Sequence, residues 1–470
     1  MENKYHHDLN LTQWVNEFEI LTQQGEKAAF ELRIYQKLIE YYQHEGDLKK
    51  ATEVAESAIG QYGYRVDFYL IKSKLLLTQK EPLEAMDSLL QAERLHPNDT
   101  EVLMTKALIL AELRDVKAAL GLLQEMKAYV GQTDLIEVLI CETEIYFRVD
   151  EFDRAFITLK DALRGNPYHD KGQQLLSDYI SVSRNYKPIS RFLQEMLENA
   201  PYSHFAWYNL GHCFSNIGEY EQAIDALEYA FLIKPEFEQA YTDCAEICMM
   251  LKQWDKALSI YREVLTSFGV EYELLVSLAE CCLHLKDYKQ AKKYLSQSLQ
   301  QDTYGEEAHY LLGQCFAHEG KWHKAIQSYR RAISIDETSD SYFLALAKAY
   351  AQVGELEKAN KNFKKATYCA PEQNSYWFEH ASFLLQMGKL QQALDVLDQG
   401  EISSVGSDLL YCRAAIHYLS GDKTKAIDIL AEVLEDDFGS HPCIFQLVPA
   451  MNEDKDIMSI INYYRGEIFE

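Results

Sequence analysis

Cysteines four residues apart, as at Cys244 and Cys248, would set two sulfur ligands on one face of a helix. Cys281 and Cys282 follow, and the same stretch carries His284, His318 and the carboxylates Glu246, Glu273, Glu280 and Glu307. His6 and His7 form a further imidazole pair near the start of the chain, in a polar segment with nothing to position them. These residue types suit metal binding or acid–base chemistry, yet no constellation closes around them. There is no HExxH, no glycine-rich phosphate cradle and no GxSxG, and no nucleophile stands in a pattern with a base. Cys244 and Cys248 also occupy places that related segments fill with apolar residues, which makes them small buried hydrophobes. The sequence predicts no catalytic residue, no metal site and no cofactor.

The bulk composition narrows the remaining classes. Hydrophobic residues make up 47% of the 470 residues and charged ones 25%, which suits a globular chain with a large core. Lys and Arg number 46 against 73 Asp and Glu, a formal charge of −27. Phosphate backbones and anionic lipid surfaces attract clustered cations, so nucleic acid and membrane are poor partners and a cationic protein is a better one. The N-terminal stretch has no apolar run of signal-peptide length, and no segment is long and apolar enough to span a bilayer. A cytoplasmic location is expected, with the ten cysteines reduced.

What must position the charged and aromatic residues is a repeat. Alanine recurs at Ala51, Ala85, Ala119, Ala155, Ala223, Ala257, Ala291, Ala325, Ala359, Ala393 and Ala426, with Ile189 in the one exceptional segment. Twelve segments follow from this register, beginning at Leu32, Val66, Thr100, Ile136, Asp170, His204, Glu238, Tyr272, Glu306, Asp340, Asn374 and Ser407. The eighth place of each is small except at Ile39, and lies twelve places before the alanine. Small residues facing each other let two helices approach closely, so each segment reads as a tight helical hairpin. Apolar residues at the fourth, seventh and eleventh places, such as Trp207, Leu210 and Phe214, line one helical face. Gly46, Gly218, Gly320, Gly354, Gly388 and Gly421 mark the fifteenth place, where the first helix must stop. Pro97, Pro167, Pro201, Pro235 and Pro371 mark the end of the second.

This pattern resembles the tetratricopeptide repeat (TPR) family over residues 32–440. The resemblance implies an all-α, right-handed superhelical solenoid of about twelve helix–turn–helix repeats with a concave channel, used mainly to bind peptides or proteins. It is weakest in the fifth repeat, where Ile189 replaces alanine and no glycine marks the turn; an irregularity is expected over residues 170–200. Residues 1–31, with an apolar stripe of Leu11, Trp14, Val15, Phe18 and Leu21, are expected to cap one end. Residues 441–470 are expected to cap the other, as a truncated repeat in which Ile444, Leu447, Val448 and Met451 imitate a first helix and Ile460 with Tyr464 a shortened second. No stretch is left within these residues for a separate catalytic domain.

In the family the second, fifth, ninth, twelfth and thirteenth places of each first helix line the concave surface. Carried onto repeats six to nine, this implies a partner-binding face that includes Phe205, Tyr208, His212, Glu246, Met249, Met250, Glu273, Glu280, His284, Glu307, Tyr310, Gln314 and His318. Four carboxylates and no Lys or Arg stand in this set. Aromatic and methionine side chains suit adaptable apolar contacts, and the carboxylates select Lys or Arg. Phe378, Tyr411, Tyr418 and Leu419 extend an apolar lining into the last repeats, whereas Arg33, Lys74, Arg148 and Lys171 make the early ones mixed. Some family members grip chaperone C-terminal carboxylates through Lys, Asn and Arg; here Asn209 is a lone match, with Gln239 where the next cation is needed. The locally basic "KWHKAIQSYRR" at 321–331 falls on a second helix, facing solvent. The expected function is a non-enzymatic scaffold or adaptor that binds a protein or peptide with basic and apolar residues. The alternatives are a regulatory, peptide-sensing protein and self-assembly into a homo-oligomer.

Overall fold

A computed structural model describes residues 9–26, 28–404 and 406–469 of the chain. His6 and His7 lie outside the described residues. Among the described residues the chain is helical throughout, with short turns and no strand. Two compact blocks, residues 1–240 and 241–470, each stack successive helical hairpins.

The small-residue places explain the hairpins. Every one of the recurring alanines is fully buried. At the eighth place a Cβ added to Gly211 would stand 2.7 Å from Cγ of Leu227, and one added to Gly313 would stand 2.5 Å from the ring of Tyr329. In these two repeats the first helix's backbone touches a side chain of the second, with no room for a methyl group. First helices begin at Leu32, Val66, Thr100, Asp170, His204, Glu238, Tyr272, Glu306, Asp340, Asn374 and Ser407. The fourth alone begins early, at Gln132 rather than Ile136, because the longer spacing before it is absorbed as an extra helical turn.

The turns show why glycine was an incomplete signal. The fifteenth place has positive φ not only at the six glycines but also at Lys80, Arg114, Asp150, Lys252 and Lys286. The hairpin imposes a left-handed residue there, and five repeats accept the strain of a side chain in that conformation. Asp47, Asp115, Asp287 and Asp422 then cap the second helices, each accepting a backbone N–H three residues on. The fifth repeat departs from this plan. Its first helix, Asp170–Val182, ends on an extended Ser183, and Arg184 has no positive φ.

The helix Leu9–Gln24 buries Leu11, Val15 and Phe18 against Tyr35, Leu38 and Tyr42 of the first repeat. At the other end the order of lengths differs from the expectation. Residues after Ser440 form only the short helix Pro442–Leu447 and a 3₁₀ turn, because Pro449 interrupts, and the long helix is the last one, Lys455–Phe469. Ile457 and Ile461 are its fully buried residues, while Ile460 and Tyr464 pack partly.

Candidate partner-binding face

In the first block the second, fifth and ninth places do line a cleft. It measures about 430 Å³ and is walled by Glu101, Met104 and Leu108 of the third repeat and Glu137, Ile140 and Glu144 of the fourth. Its charges are largely compensated from one repeat to the next. Lys74, in a ninth place, lies 2.5 Å from Glu101, in the following second place. Glu144 and Lys171 form the corresponding pair between the fourth and fifth repeats. Arg148 bonds Glu112 at 2.8 Å.

The predicted residues Phe205, Tyr208 and His212 also belong to the first block, and all three are half-buried. Phe205 and Tyr208 converge on Phe237, a buried residue in the turn that closes the sixth repeat, which the sequence reading missed, and His212 packs on Tyr208. Ring centroids are 5.1 Å apart for Phe205–Phe237, 4.8 Å for Tyr208–Phe237 and 4.5 Å for Tyr208–His212. The signal for Phe237 was present, since an apolar residue beyond the helix-ending proline has nowhere to pack except under the next repeat. Asn209 is fully buried, accepting a hydrogen bond from Ser177 at 2.6 Å and donating to Gln173, so it bridges repeats and offers nothing to a ligand.

In the second block the same ladder places carry like charges. Glu246 and Glu273 occupy one ninth-to-second step, and Glu280 and Glu307 the next. Glu246, Glu273 and Glu307 are exposed and Glu280 half-buried. Partial burial raises the carboxyl of Glu246, and nearby Asp243 adds to it. Burial likewise raises Glu280. Glu307 is raised by burial first and then by Glu280 and Glu306. The face thus concentrates negative charge in a partly desolvated setting, where a cation is favoured.

The aromatic and imidazole residues around it are more tightly held than their spacing suggested. Tyr310 lies 4.7 Å from Tyr342 and 5.8 Å from Tyr329, so it ties two repeats together. His284 stacks flat on Trp254 at 3.9 Å, and His318 on Tyr288 at 5.2 Å. Each histidine ends a first helix and covers the aromatic that opens the preceding second helix. Burial, then Lys252, lowers the pKa of His284, which keeps it neutral near pH 7. Met249 is half-buried, and Met250 is 63% exposed. Farther on, Tyr411 does not line a surface: it is fully buried, its hydroxyl donating to the Asp437 carbonyl at 2.5 Å. A fifth-place side chain near a repeat end turns inward when the cap beyond supplies a buried acceptor.

Cys244, Cys248, Cys281 and Cys282 are all buried. Burial pushes the Cys281 thiol up to about 12, far from a thiolate nucleophile. Among the described residues no group of three or more His, Cys, Asp or Glu converges as a metal site. No described helix is long and apolar enough to cross a membrane.

Stacked hairpins with a recurring small-residue seam define a helical-repeat protein. Residues 204–237 and 270–338 match the tetratricopeptide repeat family. Over these residues the hairpins are tetratricopeptide repeats, and the same helical register continues through the neighbouring hairpins. Anaphase-promoting complex subunit 3 of Schizosaccharomyces pombe is 27% identical over 123 residues, which are 26% of this chain and 18% of that protein. The match therefore spans under a fifth of that relative's length. Among solved structures, the APC/C hetero-tetramer Cut9–Hcn1 aligns over 93% of this chain and 97% of its own, at 15% identity and a TM-score of 0.37. YrrB, described as a TPR protein with an unusual peptide-binding site, aligns over 38% and 93%, at 20% identity and a TM-score of 0.33.

Proposed function

We propose that the chain is a non-enzymatic, cytoplasmic scaffold that holds a protein segment bearing Lys or Arg beside apolar residues. Residues 32–440 act as the repeat array and residues 1–31 and 441–470 as its caps. The observation that supports this reading is the change in the ladder. Steps filled by opposite charges in the first block, Lys74–Glu101 and Glu144–Lys171, are filled by Glu246 with Glu273 and Glu280 with Glu307 in the second. Two consecutive steps are doubly negative here, where the compensated steps hold an internal cation, so a partner's cations are the natural complement; of these four carboxylates Glu280 has His284 3.9 Å away. Ammonium or guanidinium groups there would form charge-assisted hydrogen bonds and relieve the repulsion. Met249, Met250, Tyr310 and Gln314 would serve the partner's apolar side chains and backbone. In the first block, Phe205, Tyr208 and His212 would offer a separate aromatic surface.

Fluorescence anisotropy with a short synthetic peptide of Lys, Arg, Leu and Phe tests the reading. Glu246→Gln, Glu273→Gln, Glu280→Gln and Glu307→Gln combined should weaken binding about tenfold or more, mainly through a slower association rate that is sensitive to salt. Equal affinity for the wild type and the folded variant would refute it. Light scattering on the unliganded chain separates this function from self-assembly into a homo-oligomer.

A further inference from the structure

The stretch "KWHKAIQSYRR" belongs to a larger basic feature that the partner-binding face does not use. Its helix, Trp322–Ile335, packs on the first helix of the tenth repeat, Asp340–Gln352, as does the second helix of that repeat, Leu356–Cys369, which carries Lys358, Lys361, Lys364 and Lys365. Between these helices lies an open cleft of about 680 Å³. Arg330, Lys358, Lys361 and Lys365 line its walls, with Glu337 the one carboxylate among the lining residues. Phe343, Leu346 and Tyr350, from the fourth, seventh and eleventh places of the tenth first helix, form its floor. None of these residues stands in a second, fifth or ninth place, so the cleft and the acidic face are separate surfaces of the second block.

The cations are not used up within the fold. Lys358 pairs with Glu355 at 3.1 Å, but no described carboxylate lies within ion-pair distance of Arg330, Lys361 or Lys365. Lys365 instead sits 4.7 Å from the ring centre of Phe343, and Lys358 5.6 Å from that of Tyr350. In a chain of formal charge −27, four cations gathered around an aromatic floor, three of them without an ion-pair partner, are a departure from the average surface.

We propose that this cleft is a second docking site, which takes an acidic segment of a partner protein carrying a bulky apolar side chain. The walls complement Asp or Glu, and the apolar floor complements Leu, Ile or Phe. The volume falls within the roughly 300–1,000 Å³ of ordinary ligand pockets. A nucleic acid fits less well. Its evenly spaced phosphates need a long cationic track, whereas the net negative charge of this chain repels a polyanion beyond the cleft. The scaffold then has two faces of opposite preference, one for a basic segment and one for an acidic segment.

The test uses the full chain and three fluorescent probes: a short peptide of Asp and Glu bearing Leu and Phe, the same peptide with Lys for each acid, and single-stranded oligothymidine of matched charge. The variants are Arg330→Glu/Lys361→Glu/Lys365→Glu, its Gln counterpart in case charge reversal disturbs folding, and the control Lys289→Glu/Lys293→Glu on another second helix. Circular dichroism checks that each is folded. The acidic peptide should bind the wild type and the control alike, and lose about tenfold or more in affinity with either cleft variant. Equal loss in the control, no saturable binding of the acidic peptide, or oligothymidine bound as tightly would overturn the proposal. So would a wild-type dimer dissociated by the cleft variant, which would make a second copy the occupant. Because the acidic face is unaltered in these variants, the basic peptide should bind them as it binds the wild type. Failure at one face is thereby distinguishable from failure at the other.

Discussion

Replacing glycine by alanine inside a helix normally stabilises a protein by about 0.5–1 kcal/mol, because the backbone of the unfolded chain is stiffened. Gly121, exposed in the helix Val116–Lys127 with nothing within 4 Å of an added Cβ, should behave in this way. Gly313 should do the opposite. Its new methyl group would lie 2.5 Å from the ring of Tyr329, about 0.9 Å inside the 3.4 Å of ordinary contact. Tyr329 is buried and packs beside Tyr310, and an aromatic ring cannot bend away as a flexible chain end can. Overpacking of this kind costs about 1–3 kcal/mol, so after the propensity gain the net effect is about 0–2 kcal/mol of destabilisation. The two alanine variants should therefore differ by about 1–3 kcal/mol in opposite directions from the wild type. Repeat arrays do not unfold as a single unit, so the assay is hydrogen exchange read helix by helix. Amides in Glu306–His318 and Trp322–Ile335 should exchange about tenfold faster in Gly313→Ala, while those in Val116–Lys127 slow in Gly121→Ala. Adding Tyr329→Leu to Gly313→Ala should recover about 1 kcal/mol relative to the sum of the single changes. Faster exchange absent at Gly313, or the same sign at both glycines, would refute the claim that the eighth place is small for lack of space.

Three further outcomes are expected. Glu280→Gln with Glu307→Gln should stabilise the chain near pH 7 while weakening binding of the basic peptide. The folded state raises both carboxyls, so their ionised forms oppose folding above the raised values; urea melts should show the variant's advantage shrinking as pH falls through that range. His380 is buried, stacked on Phe363, bonded through Nε2 to Asn360 at 2.7 Å and held down to about 4. The unfolded chain therefore binds its proton first, and about 3 kcal/mol of stability should be lost as pH falls from 6.5 to 4, a loss that His380→Phe should abolish in melts across that window. Lys286→Gly, at a left-handed fifteenth place, should raise the urea midpoint of the eighth repeat by an amount equivalent to about 1 kcal/mol; no gain would mean that Lys286 is unstrained there.

The sequence by itself determined the hairpin, its register and its seam. Alanine and the small eighth-place residues recur because the two helices of a hairpin approach closely there, which favours small side chains, so the contact is written largely as residue type. The fifteenth-place turn was half legible: glycine declares positive φ, but Lys80, Arg114, Asp150, Lys252 and Lys286 adopt it only because the helices on either side force them to. The period alone puts the carboxylates of repeats seven to nine at successive ninth and second places of the register. Tertiary structure alone decided what each side chain has left to offer. Tyr310 and Tyr208 are engaged with rings from neighbouring turns and repeats, His284 lies flat on Trp254, and Tyr411 is buried beneath the last cap. The basic cleft is the clearest case. Arg330 and Lys365 are 35 residues apart in the chain, and what unites them is that their two second helices both pack on the helix Asp340–Gln352, a relation between helix axes that no local pattern of residues encodes.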